Sequence, residues 1–377
     1  MEIYVVRGGD SLYSLSRRFG VSVEALAEAN QLSDPSRLTP GLALVIPGTP
    51  AGALTEIEVN AYAYPNIPDA TLRETLPYLT YLCPFSHSVT AQGELRPLGD
   101  GRMLSAAEEY STATLLTVTN LGDNGSFSGD IAHAVLTDPQ AQDRFLESII
   151  ATAERKGSYG INFNIEYVYP YDRDSYSQFL RRVAETLHPL GYLLSTAVAP
   201  KYSDDQQGLI YSAHDYAAHG QYMDRVVIMT YEWGYTYSSP QAVSPVDKMR
   251  LVLQYALTRM PAGKILMGFS NYGYNWRLPW RQGEPARVIS NAAAANLAVS
   301  VGAAISYDLV AQAPYYSYTD AAGERRQVWF EDARSVQARL ELVREYGLGG
   351  ISVWTVNQLY RPALELLHGS FGTEKAL

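Results

Sequence analysis

The chain has 377 residues, 47% of them hydrophobic and 18% charged, a composition that can bury an extensive core and is unlike that of a disordered protein. Its 29 Lys and Arg against 39 Asp and Glu leave a net charge of −10, the wrong sign for a general binder of nucleic acid, whose phosphates demand clustered cations. One cysteine, Cys83, makes neither an internal disulfide nor a multi-cysteine zinc site, and the six histidines contain no His-x-x-x-His pair. The expectation is therefore no metal and no cofactor. No run of about 18 uncharged apolar residues marks a membrane span, and the start, MEIYVVRGGD, lacks the basic and apolar regions of a secretion signal. The 29 tyrosines either pack the interior or present flat amphipathic rings of the kind that suit sugar faces.

Residues 3–6 read as a short strand, and Gly8-Gly9-Asp10-Ser11 as a turn that ends in two candidate helix N-caps. Leu12, Leu15, Ser16 and Phe19 recur at helical spacing, and Gly20 suits a C-terminal cap. A second helix carries Leu26, Ala27 and Asn30, residues 42–46 read as a closing strand, and residues 47–52, PGTPAG, as a linker. The order strand, helix, helix, strand in YVVRGGDSLYSLSRRFGVSVEALAEANQL, ending in LTPGLALVIPG, resembles the LysM domain. That resemblance implies a module at residues 1–48 that binds N-acetylglucosamine-containing chains, peptidoglycan or chitin, through residues 8–12 and 30–35. Gly9, Asp10, Ser11, Leu12, Asn30 and Leu32 are its contact candidates, although Gly9, Asp10 and Asn30 also suit a role confined to shaping turns. So small a module is marginally stable alone and suits an anchor that concentrates polymer at whatever follows.

After a linker at residues 49–54, apolar β-rich runs occur at 58–63, 78–84, 113–119, 160–166, 193–198, 225–231, 265–269 and 350–356. Helical patterns lie between several of them, as at 138–155 and 174–187. Continuous apolar strands separated by helices imply a parallel sheet covered on both faces, and eight such units in residues 55–377 have the rhythm of an α/β protein built as a (β/α)8 barrel. Residues 281–328 break that rhythm and read as a small α+β insertion. Chemistry in such a barrel belongs at the carboxyl ends of the strands.

The fourth run, GINFNIEY, puts Asn162, Asn164 and Glu166 on one face and Ile161, Phe163 and Ile165 on the other. A single carboxylate among apolar and aromatic walls has its pKa raised and can act as a general acid, while pairing with a buried Arg or Lys stays open from the pattern alone. The run resembles the Asp-x-x-Asp-x-Asp-x-Glu motif of glycoside hydrolase family 18, with Glu166 at the catalytic acid. VVIMTYEWGY resembles the family's Met-x-Tyr-Asp strand, which places Met229 and Tyr231 at the catalytic sugar and Glu232 where Asp is usual. GISVWTVN resembles the last strand, with Trp354 as the floor of the site, and MGFSNYGYNW the strand before the insertion. Tyr62, Asn120, Tyr272 and Trp276 are candidates for the groove or for packing; His87 and Asp204 rank lower.

The resemblance implies retaining, substrate-assisted hydrolysis, in which Glu166 is acid and then base and Tyr231 binds the acetamide oxygen. Tyr159, Asn162 and Asn164 stand where the motif has Asp. Asn164 is the consequential departure, since its amide can orient an acetamide but adds no negative charge. Three readings follow: a slower hydrolase, a carbohydrate-binding protein that has lost catalysis, or a substitution that traps ligand. Together with the LysM string, STAVAPKYS, NIEYVYPYDRDSY and MTYEWGY resemble the bacterial spore-germination N-acetylglucosaminidases that degrade cortex fragments. That implies association with the spore or the cell wall.

Overall fold

Turn chemistry at Ser11 and Gly20 sets the first helix. In the computed structural model of the chain, which describes residues 1–48 and 54–377, Ser14 N–H donates to Ser11 Oγ at 3.1 Å and Ser11 N–H donates to Ser14 Oγ at 3.1 Å. This reciprocal cap starts Leu12–Phe19, and Gly20 closes it at φ 68°. The second helix, Val23–Ala29, starts at Ser22, and the strands Glu2–Val5 and Ala43–Ile46 pair antiparallel. Residues 49–53, most of the expected linker, lie outside the described residues.

Eight parallel strands follow: Glu56–Ala63, Tyr81–Pro84, Ala113–Thr119, Gly160–Asn164, Leu193–Val198, Arg225–Ile228, Ile265–Ser270 and Gly350–Trp354. The last returns to the first, with Gly350 opposite Glu58 and Val353 opposite Ala61, and closes the barrel. Alternation sorts the fourth strand: Ile161 and Phe163 enter the apolar cluster that joins strands to helices, and Asn162 and Asn164 turn into the lumen. The lumen is hydrogen-bonded. Tyr62 OH donates to Asn162 Oδ1 at 3.0 Å, Asn162 Nδ2 to Ser195 Oγ at 2.8 Å, and Asn60 Nδ2 to Ser352 Oγ at 2.8 Å. At its amino end Arg225 forks onto Glu58, which also accepts Tyr81 OH at 2.9 Å. Burial pushes the Cys83 thiol up to about 12, so no thiolate forms there.

The sequence loses its barrel rhythm at about residue 281, but the insertion begins earlier, at Tyr272. Strands Tyr272–Leu278, Arg287–Ser290, Ser306–Asp308, Ala313–Thr319 and Arg325–Trp329 form a five-stranded antiparallel sheet, with the helix Asn291–Val301 packed alongside. Only Asn271 separates the seventh barrel strand from Tyr272. The run YGYNWRL therefore reads as a continuation of that barrel strand.

The amino-terminal module shares its core with this insertion. Leu12, Leu15, Leu26 and Leu44 belong to one apolar cluster with Ala294, Ala298, Tyr316 and Phe330. Ile305 N–H donates to Pro40 O at 2.9 Å, and Thr39 Oγ1 to Ala303 O at 2.8 Å. Gly41 sits at φ 86°, where a Cβ would lie 1.9 Å from Ile305 O. Gly9 has a similar φ, 91°, with nothing near its missing Cβ. Both substitutions to Ala carry the same backbone strain, of order 1–3 kcal/mol. Gly41→Ala is therefore expected to destabilise by at least about 2 kcal/mol more than Gly9→Ala, the added cost of overpacking. Urea unfolding of the two variants measures the difference, and equal midpoints would show a seam that yields freely.

Candidate active site

The fourth strand ends at Asn164, and Glu166 follows at the carboxyl mouth of the barrel, where the chain turns outward. Asn120, just past the third strand, grips the Glu166 backbone from both sides: its Nδ2 donates to Glu166 O at 2.7 Å, and its Oδ1 accepts Glu166 N–H at 3.0 Å. Behind them His214 accepts Ala199 N–H on Nδ1 at 2.9 Å and directs Nε2 at Ile165 O, 3.3 Å away. Burial pushes the His214 pKa down to about 4, so the ring stays neutral. The Glu166 side chain stands in a cleft of about 1360 Å³. Loss of water pushes its pKa up from 4.5 to about 7, and a hydrogen bond from Asn164 draws it partly back. Asn164 Oδ1 is buried and has no partner. A donor brought in by a ligand would satisfy it.

Aromatic rings and a second carboxyl complete the walls. Trp354 meets Phe85, Tyr62 and Tyr64 edge-on at 4.8, 5.3 and 5.9 Å between ring centroids. These neighbours hold the half-buried indole in place, and it lines the cleft. Tyr231 and Met229 also line it, and burial, then the nearby Glu166 and Glu232, raise the Tyr231 pKa. Its hydroxyl therefore stays protonated. Glu232 adopts φ 70°, accepts a hydrogen bond from Tyr272 OH, and accepts another from Tyr274 OH at 3.0 Å. Burial raises its pKa, partly offset by those two phenols.

The structure brings together Glu166, Asn164, Tyr231, Met229, Glu232, Tyr272, Trp354 and Tyr62 around one cleft. Five of the sequence candidates do not reach it: His87 lies buried against Arg96 O, Asp204 pairs with Arg173 and Arg259, and the other three are Asn120, Asn162 and Trp276. Asn120 is fully buried and spends its amide on the Glu166 backbone. Asn162 is fully buried between Tyr62 and Ser195. Trp276 packs between the insertion and the segment after the sixth barrel strand, in one cluster with Val243 and Ala286, and donates Nε1 to Ser238 O at 2.7 Å. In the amino-terminal module, Asp10 accepts Tyr4 OH at 2.8 Å and Arg7 N–H at 2.7 Å, Ser11 caps a helix, and Leu12 lies in the core. Asn30 is buried and ties Leu26 O to both polar groups of Val45, and Leu32 packs against the shared core. Gly9 stays exposed. Sequence reasoning missed Tyr64, Phe85, Tyr274 and His214. The alternation of NAYAY carried the signal for Tyr64; nothing local signals His214.

The family comparison decides what this cleft belongs to: residues 102–358 match the glycosyl hydrolases of family 18, and residues 4–47 match the LysM domain. The chain belongs to glycosyl hydrolase family 18. It is a glycoside hydrolase whose amino-terminal LysM domain and barrel suit glycans containing N-acetylglucosamine. The cortical fragment-lytic enzyme of Bacillus subtilis strain 168 is 42% identical over 429 aligned positions, covering 100% of this chain and 99% of the relative. The solved spore cortex-lytic enzyme SleL of Bacillus megaterium QM B1551 superposes with a TM-score of 0.95 at 32% identity, covering 100% and 99% of the two chains. The solved chitinase of Chromobacterium violaceum ATCC 12472 superposes with a TM-score of 0.76 at 29% identity, covering 83% of this chain and 98% of that one. No helix among the described residues is long and apolar enough to cross a membrane.

The raised pKa of Glu166 has a cost in stability. Below pH 4.5 the group is protonated in folded and unfolded chains alike; between 4.5 and about 7 only the unfolded chain ionises. Folding stability therefore falls across that window, by about 2–3 kcal/mol after allowing for the solvent that reaches the carboxyl. Glu166→Gln removes the dependence. Its thermal midpoint is expected to exceed that of the parent at pH 8 and to match it at pH 4; a constant offset at both would contradict the desolvation of Glu166.

Proposed function

We propose that the protein hydrolyses N-acetylglucosaminidic bonds of spore-cortex peptidoglycan fragments by a substrate-assisted, retaining route. It works at the spore or cell wall. The observation that carries this reading is the protonatable Glu166 beside the unpartnered Asn164 Oδ1, in one cleft with Trp354 and Tyr231. The sugar ring stacks on Trp354, its acetamide N–H donates to Asn164 Oδ1, and Tyr231 OH donates to the acetamide carbonyl. Glu166 gives its proton to the glycosidic oxygen as that oxygen leaves C1, and the acetamide oxygen bonds to C1 to form an oxazolinium ion. Water then attacks C1 and yields its proton to Glu166, which restores both the acid and the acetamide. The names of the relatives from Bacillus subtilis and Bacillus megaterium favour cortex fragments. Chitin is the second substrate, favoured by the chitinase likeness.

Asn164 orients the acetamide without an anion, which costs transition-state stabilisation of about 3 kcal/mol, or roughly 10² in rate, relative to a carboxylate there. The enzyme is correspondingly slow. Turnover of purified cortex fragments, followed as newly released reducing ends, tests the assignment: Glu166→Gln is expected to lower kcat by at least about 10³ while binding is retained. Turnover absent from the parent would leave a carbohydrate-binding protein.

The pH profile follows from the acid's charge state. Glu166 must carry its proton, so kcat/KM is expected to hold below about pH 7 and to fall above it as the carboxyl ionises. Asn164→Asp replaces a donor to the carboxylate with a like charge, which raises the Glu166 pKa, so the alkaline limb should move upward. A limb that stays in place in this variant would mean that residue 164 does not act on Glu166.

A further inference from the structure

The LysM domain touches the catalytic cleft. Gln31, in the loop between its second helix and second strand, lines the same cavity as Glu166 and Trp354, together with Asn66, Gln358 and Leu359. We propose that this end of the cleft is a distal sugar subsite, with Asn66 and Gln358 as its contact residues and the LysM loop as its end wall. The glycan strand then runs in one track from Trp354 to the LysM domain. The proposal rests on the reading of the cleft as a glycosidase site.

The loop is fixed in place. Asn296 of the insertion accepts Ser33 N–H at 2.8 Å and Ser33 Oγ–H at 2.9 Å, and donates to Gln31 O at 2.9 Å. The Gln31 side chain donates to Leu359 O at 3.2 Å and accepts Arg361 N–H at 2.7 Å. With Gly41 seated against Ile305, the module has no freedom to swing. A polymer held by this module is thereby held in a set register with the catalytic carboxyl.

The groups facing this end suit a neutral sugar. The charged residues that line the cleft are Glu166 and Glu232, and neither takes part in the LysM loop's own side-chain contacts at Leu359 O and Arg361 N–H. Asn66 Oδ1 accepts Asn357 Nδ2 at 3.1 Å, and the Asn66 amide N–H groups have no partner among the described residues. Gln358 is exposed, and its carboxamide has no partner among the described residues. Carboxamides both donate and accept, as sugar hydroxyls and acetamides require, and they add no charge. Gln358 lies four residues from Trp354, at most about 14 Å along an extended chain, so a short oligosaccharide bound at Trp354 reaches it.

The test uses the full chain with chitin oligosaccharides of increasing length and kcat/KM as the readout. In the parent, kcat/KM is expected to rise with length. In the double variant Asn66→Ala, Gln358→Ala that rise should shrink about tenfold, the loss of one or two hydrogen bonds to sugar. Gln358 makes no side-chain contact that folding needs, and an unchanged thermal midpoint verifies this. Asn296→Ala, which releases the Gln31 loop, should shrink the same rise. A length dependence in both variants equal to that of the parent overturns the distal subsite, and so does a parent that shows none. The underlying glycosidase reading fails separately, on Glu166→Gln: turnover that survives that change at every length defeats it.

Discussion

A carboxyl group deprived of water and given no cation is the constraint around which this molecule is arranged. Two other buried acids are balanced by arginine: Arg225 forks onto Glu58, and Arg339 reaches Glu331 at 2.9 Å. No described residue forms an ion pair with Glu166, and its nearest polar influence is the neutral amide of Asn164. Left in that state, a flexible carboxyl would swing toward solvent, so its backbone is pinned by Asn120 and, one residue back, faced by the neutral His214 ring. Rigidity of the support replaces charge neutralisation as the means of keeping the acid in place.

Glu232 follows the same logic through a different element. Its left-handed backbone turns the carboxyl toward the insertion sheet, where two phenols from Tyr272 and Tyr274 supply neutral donors. The insertion thus finishes the cleft, and the LysM core in turn backs the insertion. Support passes from module to sheet to carboxyl. The polar lumen serves the barrel similarly, since Tyr62, Asn162 and Ser195 satisfy one another beneath the site.

Local chemistry made much of the fold legible in the sequence. Ser11 and Gly20 bound the first helix because caps act within a few residues, and the eight strands announce themselves as apolar runs. Glu166, Tyr231 and Trp354 carry their meaning in short strings. What stayed illegible depends on partners distant in sequence. Asn120 looks like a groove residue until its bonds to Glu166, 46 positions away, are seen. Asn162 and Trp276 are polar or aromatic at alternating positions, a pattern that cannot tell a lumen from a cleft. The start of the insertion is hidden because Tyr272 continues a barrel strand in composition while leaving it in direction. Asn30 and Leu12 are read as contacts because a small domain uses the same residues for turn, core and surface.

The seam at Gly41 bears on how such a protein can be inherited or rebuilt. A tethered module is interchangeable, since its linker makes no demand on its surface. Here the module's leucines complete the insertion's interior, and one glycine makes room for the carbonyl of Ile305, far along the chain. A substitute LysM domain would have to bring both the matching apolar face and the missing Cβ. Exchanging the LysM domain alone would therefore leave the insertion's apolar interior without its matching face.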